Sequence, residues 1–117
     1  MIWAEWLVDV RDTARLQVAA LTQPDVENER IFAFVSPLNW NDVMAILREL
    51  KPGHEWPDDV AGLGRDLLRV STEREEGMLK SIGRRGWVEL RESLRDAVEC
   101  LWLLRGVRRN LEVCHLA

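Results

Sequence analysis

Hydrophobic residues recur along the chain at two spacings, which predict short strands and amphipathic helices. Residues 2–10 mix apolar side chains with Glu5 and Asp9, a pattern typical of a strand with a polar end. Asp12 or Thr13 can cap the helix that follows. We expect this helix to bury one apolar face, formed by Ala14, Val18 and Leu21 and widened by Leu16 and Ala20.

The middle of the chain predicts a buried strand and a second helix. Residues 31–35 are a continuous apolar run, as in strands that helices cover on both faces. Asn39 can cap the next helix, and the carboxylate of Asp42 can face the open amides of its first turn. The predicted buried side of this helix consists of Val43, Ile46, Leu47 and Leu50.

The last part of the chain predicts one more short strand and two more helices. Residues 67–70 form a short apolar run, preceded by Gly62 and Gly64, which we interpret as part of a turn. Thr72 and Glu75 stand at capping-box spacing for a helix that ends at Gly83. The final helix has an apolar side made of Leu90, Leu94, Val98 and Leu101.

Two segments of the chain match a known family. They are WLVDVRDTARLQVAALTQPDVENERIFAFVSPLNWNDVMAILREL, residues 6–50, and GLGRDLLRVSTEREEGMLKSIGRRGWVELRESLRDAV, residues 62–98. These segments resemble the C-terminal, substrate-binding part of extended short-chain dehydrogenase/reductases of the NAD-dependent epimerase/dehydratase superfamily. The likeness is strongest to dihydroflavonol and cinnamoyl-CoA reductases and to fungal ketoreductases, which share the VDVRD strand end, the ERI(F/Y) strand and the (S/N)W(N/E)D helix.

The resemblance implies a small, helix-rich α/β protein, a truncated reductase substrate domain. It implies about four helices and two or three short parallel strands, with residues 67–70 beside the strand that bears Val8. It divides the chain into a reductase C-terminal-like domain, residues 1–104, and a tail outside the resemblance, residues 105–117. Val88 departs from the family, because a serine or threonine usually caps the last helix there.

The parts of the family that carry its redox chemistry have no counterpart in this sequence. The family binds its nicotinamide cofactor with a glycine-rich turn between strand and helix, and reacts through a Tyr-x-x-x-Lys pair with a serine or threonine. The chain contains no tyrosine, and none of its seven glycines forms that turn after a predicted strand. We therefore expect that the chain alone transfers no hydride and uses no cofactor.

Length, net charge and apolar content indicate which kinds of partner the chain can have. A length of 117 residues fits one domain, and a net charge of −4 disfavours general nucleic-acid binding. No apolar run reaches the length of a membrane span, and the N-terminus lacks signal-peptide features, so we expect a cytoplasmic protein without a membrane partner. Cys100, Cys114 and the two histidines show no metal-ligand spacing, and we predict no metal site.

Seven residues are the first candidates for a site. The candidate catalytic groups are Glu5, Asp9 and His54, and the candidate substrate-binding residues are Trp3, Trp6, Trp40 and Trp56. Each also has a structural alternative. The tryptophans can pack in the core or an interface, and Glu5 can face solvent on an edge strand. Asp9 can stabilise a helix N-terminus, and His54 lies in a loop that is polar by default.

Two functions fit these observations. The first is a small cofactor-independent protein that binds an apolar organic molecule and catalyses a non-redox cyclisation, isomerisation or elimination in secondary metabolism. The alternative is a non-catalytic interaction module or a degenerate reductase fragment. In either case, the apolar faces that would pack on the absent nucleotide domain predict a homodimer.

Overall fold

The computed structural model describes the backbone of residues 4–116 and the side chains of residues 5–106. In chain order the elements are β1 (Ala4–Leu7), α1 (Val10–Thr22), β2 (Ser36–Asn39), α2 (Trp40–Leu50), α3 (Glu73–Ser81) and α4 (Leu90–Leu116). The prediction of a helix-rich α/β fold is confirmed.

The two strands pair in the opposite sense from the one predicted. β1 and β2 are antiparallel, with Ala4 opposite Asn39 and Leu7 opposite Ser36. The expectation of parallel strands is therefore wrong. Residues 31–35 and 67–70 are irregular, and β2 forms just after the first of these apolar runs. An apolar segment becomes a strand only when its backbone pairs with a neighbouring strand. The amide of Phe32 donates to the Glu75 side chain (Oε1, 3.0 Å) and not to a strand.

The first helix begins earlier than the sequence predicts. Its N-cap is Asp9, whose Oδ1 accepts a hydrogen bond from the Arg11 backbone N–H at 2.8 Å. The cap predicted at Asp12 or Thr13 is wrong. Asp12 lies in the first turn, fully buried, and its Oδ2 accepts the Val88 backbone N–H at 2.7 Å. Asp12 therefore joins α1 to the segment before α4.

The buried face of α1 also differs from the predicted one. Leu16 and Ala19 are buried and pack against Met78 and Leu79 of α3. Of the residues predicted to be buried, Ala14, Val18 and Leu21 are exposed, whereas Leu16 is buried and Ala20 packs against the first core. Because α1 has apolar residues on two opposite sides, its spacing alone does not identify the side that meets α3.

The ends of α2 and α3 follow local sequence signals. The side chain of Asn39 accepts from the Asp42 N–H and the Asp42 carboxylate accepts from the Asn39 N–H, both at 3.1 Å. This confirms the predicted cap. Gly83 has a φ of 84°, and the next N–H donates to the Leu79 carbonyl at 3.0 Å, which closes α3 as predicted. The capping box predicted for α3 is wrong: the Thr72 side chain makes no capping hydrogen bond, and the Glu75 carboxylate accepts from the Phe32 amide instead of from Thr72.

The helices enclose two small cores rather than one. The first consists of Leu16, Ala19, Met78 and Leu79, and the second of Met44, Leu47 and Val98 with Trp56, Leu94 and Trp102 around them. The radius of gyration is 18.5 Å. A compact chain of this length would have a value of about 13 Å, so the fold is extended.

The last helix continues well beyond the family resemblance. α4 runs as one helix from Leu90 to Leu116 and so includes most of the segment predicted as a separate tail. Within the part of the chain that the structure describes, no helix has both the length and the apolar character needed to cross a membrane.

Candidate functional site

Asp9 lies in an ion-pair network that joins α1 to α4. Its two carboxylate oxygens accept hydrogen bonds from Arg11 Nε and Nη2, both at 2.9 Å. Arg11 Nη1 reaches Asp96 Oδ2 on α4, also at 2.9 Å. Hydrogen bonding to the Arg11 guanidinium holds the pKa of Asp9 far below its ordinary value, although burial opposes this shift. An ionised carboxylate with both oxygens engaged favours the structural role over proton transfer.

Three other candidates lie around β1 and the start of α2. Glu5 is exposed opposite Leu38, and Trp40 is half-exposed in the first turn of α2. Trp6 is partly buried, with its ring centroid 6.0 Å from that of Phe34, and its indole N–H is buried without a hydrogen-bond partner. Trp3 lies outside the described residues.

His54 and Trp56, in the loop after α2, belong to an aromatic cluster that packs against Trp102 of α4. The ring centroid of His54 lies 4.5 Å from that of Trp56 and 5.5 Å from that of Trp102, in edge-on geometry. The Trp56 indole N–H donates to the Lys51 carbonyl at 3.1 Å, which fixes its ring. Lys51 Nζ and the Arg105 guanidinium lie 5.5 and 5.4 Å from the Trp102 centroid. We call these five residues the aromatic cluster.

Trp102, which is not among the candidates predicted from the sequence, completes this cluster. Trp102 follows Leu94 and Val98 at four-residue steps, so it extends the face of α4 that packs on α2. That periodicity could have identified the residue. Its contact with His54, far away in sequence, depends on tertiary packing.

The six candidates that the structure describes do not converge on one site. Trp40 is at the beginning of α2, whereas His54 and Trp56 follow its end. An 11-residue helix is about 16 Å long, so the side chains around β1 and the aromatic cluster lie at opposite ends of α2. The geometry therefore offers His54 and Trp56 as a pair, separate from Glu5, Trp6 and Trp40.

A cavity of about 720 Å³ is lined by none of the six described candidates. It is an open, polar cavity between α1, the end of α3 and the start of α4. Its lining includes Arg15, Arg84 and Arg85 together with Glu76, Glu89 and Glu92. Equal numbers of acidic and basic side chains give the cavity no strong preference for an anion. Its mostly polar lining offers few contacts to an apolar ligand.

The described residues do not fit a nicotinamide dinucleotide. Binding of the pyrophosphate needs a glycine-rich turn that leads from a strand directly into a helix N-terminus. Gly62 has a φ of 75° and lies in a turn, as predicted, but the chain then stays irregular until α3 begins at Glu73. The Gly62–Gly64 segment therefore lacks the helix that such a site requires.

Most of this chain aligns with a part of several known proteins, at 33% to 41% identity. The chain is 41% identical to ketoreductase nvfG of Aspergillus novofumigatus over 95 residues, covering 80% of this chain and 28% of that protein. It is 33% identical to aldehyde reductase 2 of Sporidiobolus salmonicolor over 94 residues, covering 80% of this chain and 27% of that protein. It is also 33% identical to the NAD-dependent epimerase/dehydratase terH of Aspergillus terreus, covering 82% of this chain and 28% of that protein.

These relatives confirm the resemblance to fungal ketoreductases and NAD-dependent epimerase/dehydratases, and they show that it concerns only part of those proteins. No protein-family model matches the chain. The chain spans little more than a quarter of the length of the curated relatives it matches. It is homologous to one portion of the fungal ketoreductases and NAD-dependent epimerase/dehydratases.

Proposed function

We propose that the chain is the substrate-side part of a carbonyl-reducing protein and acts together with a second part that carries the cofactor and the catalytic tyrosine. The names of two relatives, a ketoreductase and an aldehyde reductase, support a ketone or an aldehyde as the substrate class. The absence of tyrosine from the sequence supports a division of labour, in which this chain shapes the substrate site and the second part supplies hydride transfer.

The observation that carries this proposal is the second apolar face of α1. Val10, Ala14, Val18 and Leu21 lie on the side opposite the core residues Leu16 and Ala19. Val10 is 79% exposed and Leu21 is 87% exposed. A helix that is apolar on two opposite sides is typical of one enclosed between two layers of protein. We call this surface the α1 outer face and assign it to contact with the second part.

An aromatic row adds a wall for the substrate. The ring centroid of Phe34 lies 6.0 Å from that of Trp6 and 5.9 Å from that of Phe32. Phe32 remains partly exposed. Substrate pockets are mostly lined by apolar and aromatic side chains, and this row can form one side of such a pocket once the second part is present.

Complementation tests the proposal. Ketoreductase nvfG lacking its matched segment would be mixed with this chain, and oxidation of the reduced nicotinamide cofactor would be followed with a ketone substrate. We expect activity from the mixture and from neither part alone. Val18→Glu with Leu21→Glu should abolish it, because burying two carboxylates in an apolar contact is costly. Leu104→Glu, on an exposed leucine of α4, is the matched control and should leave it unchanged. An inactive mixture of two folded parts would refute the proposal.

A second candidate is the cofactor-independent binding protein that the sequence favours, and the aromatic cluster supports it. His54, Trp56 and Trp102 offer ring edges and faces to an apolar ring, while Lys51 and Arg105 place positive charge beside Trp102. A cyclisation, isomerisation or elimination there would use His54 for proton transfer.

Ligand titration tests this second candidate. Tryptophan fluorescence of the chain alone would be followed with 1-naphthoate, which combines an apolar ring system with a carboxylate. We expect saturable quenching that Trp102→Ala removes and that Trp40→Ala, at the other end of α2, retains. Quenching that both variants show equally would exclude the cluster as the binding site.

A further inference from the structure

The long helix α4 also has two apolar faces, and only one of them is used inside the chain. Leu94, Val98 and Trp102 pack on Met44 and Leu47 of α2. A second row consists of Ala97, Cys100, Leu101 and Leu104, all of which are exposed. Leu101 and Leu104 are 56% and 59% exposed. Their spacing of three, one and three residues places them along one side of the helix. We call this row the α4 stripe.

The residues that follow the stripe do not cover it. α4 continues as a single helix to Leu116, so the chain beyond Leu104 runs on along the helix axis and does not fold back. The helix continues for about three turns beyond this exposed apolar row, in a molecule 60 Å in its longest dimension, so the row stays accessible to another molecule.

From this arrangement we infer that the α4 stripe is a self-complementary interface, on which α4 of a second copy of the chain packs in antiparallel orientation. The inference is independent of the proposed function. It places the homodimer contact on α4, whereas the sequence led us to expect it on the face left by the nucleotide domain.

Side-chain size supports antiparallel self-pairing. A two-fold axis between residues 100 and 101 puts Ala97 of one copy opposite Leu104 of the other, so a small residue meets a large one at both ends of the contact. A parallel pair would put Leu104 against Leu104 and Ala97 against Ala97. The two leucines would then be overpacked, and the two alanines would leave a gap between the helices. The antiparallel pair also brings the two Cys100 side chains close to the axis.

The distribution of charge along α4 favours the same orientation. Up to residue 103 the helix carries three acids and two arginines, whereas from residue 104 onward it carries three arginines and one acid. An antiparallel pair sets the more acidic half of each helix beside the more basic half of the other, and it also opposes the two helix dipoles. A parallel pair would align like charges.

Light scattering and thiol cross-linking of the whole chain test the inference. We expect a dimer of twice the chain mass of 13.6 kDa. In Cys114→Ser, which leaves Cys100 as the single thiol, a short bifunctional maleimide should join two chains. Leu101→Glu with Leu104→Glu should weaken dimerisation by about 100-fold or more, because both carboxylates would be buried against apolar groups. Leu67→Glu, at a leucine that is 90% exposed outside α4, is the matched control and should leave the dimer intact.

A size exchange tests the register directly. Ala97→Leu should weaken the dimer, since two leucines would then meet, and adding Leu104→Ala should restore it by reversing the pair. Ala97, Leu101 and Leu104 are all exposed, so circular dichroism should show unchanged folding of the variants at these positions. A chain that stays monomeric, a dimer unaffected by the glutamates on the stripe, or a double variant that fails to recover would each overturn the inference.

Discussion

Replacing Asp9 should separate two contributions that this carboxylate makes to stability. Asp9→Ala removes the N-cap of α1 and also the ion pair with Arg11. Loss of an N-cap costs about 1 kcal/mol. The ion pair adds about 1 kcal/mol and not more, because Arg11 is partly open to solvent and its charge is screened. We expect Asp9→Ala to lower the free energy of unfolding by about 2 kcal/mol, measured by urea denaturation near pH 7.

Asp9→Asn is the matched variant, since asparagine caps helices about as well as aspartate but carries no charge. It should cost about 1 kcal/mol, half the effect of alanine. Its cost should also depend on pH. The pKa of Asp9 is lowered in the folded state by Arg11, so its ionised form contributes stability that is fully present above the ordinary value of 3.8. That contribution is lost as the pH falls below this value toward the folded pKa.

The difference in unfolding free energy between the native chain and Asp9→Asn should therefore shrink as the pH is lowered from 6 toward 2. A difference that stays constant over this range would refute the assignment of the ion pair. Equal destabilisation by alanine and asparagine would refute the capping role instead, because it would mean that the hydrogen bond to the Arg11 amide contributes nothing.

Three further tests concern Leu79, Gly83 and Asp12, and each is made by urea denaturation. Leu79→Ala removes a fully buried side chain from the first core and should cost about 2–5 kcal/mol. Gly83→Ala should cost about 1 kcal/mol because the glycine closes α3 with a positive φ, whereas Gly64→Ala, which meets open space at an ordinary φ, should be neutral. Asp12→Ala should cost about 2–3 kcal/mol because it leaves the Val88 N–H without its acceptor, and Asp12→Asn, which keeps an oxygen there, should cost less.

Features that depend on a few neighbouring residues could be predicted from the sequence. The cap formed by Asn39 and Asp42 and the end of α3 at Gly83 were found correctly, because each is decided within one helical turn. The turn at Gly62 is of the same kind.

Strand pairing and the choice of buried helix face depend on partners far away in sequence. Residues 31–35 have the composition of a strand, yet the amide of Phe32 bonds to Glu75. Within this run the Val35 N–H donates to the Leu7 carbonyl of β1 at 2.8 Å, and the paired strand β2 itself begins at Ser36. The spacing in α1 predicts a buried face centred on Ala14, Val18 and Leu21 and widened by Leu16 and Ala20, but the buried side is centred on Leu16 and Ala19. Spacing identifies apolar faces and leaves open which of them the chain itself covers.

The candidate site shows the same limit. His54 and Trp56 are close in sequence, and the structure keeps them together. Trp102 joins them only because α4 packs on α2, and the tryptophans near β1 are kept apart from them by the length of α2. Of the residues chosen for their chemistry, His54 and Trp56 therefore form one spatial pair, and the other described candidates lie elsewhere in the fold.

The two unused apolar faces have different explanations. The α1 outer face lies within the segment that matches the reductases, where a larger partner structure is expected to cover it. The α4 stripe lies at the end of the resemblance, within residues 97–104, and its small residues at one end and large residues at the other suit a second, antiparallel copy of the same helix. If both assignments hold, glutamates on the α1 outer face should abolish complementation while leaving the dimer, and glutamates on the stripe should abolish the dimer while leaving complementation. The two surfaces would then be independent of each other, because each set of glutamates would affect only its own contact.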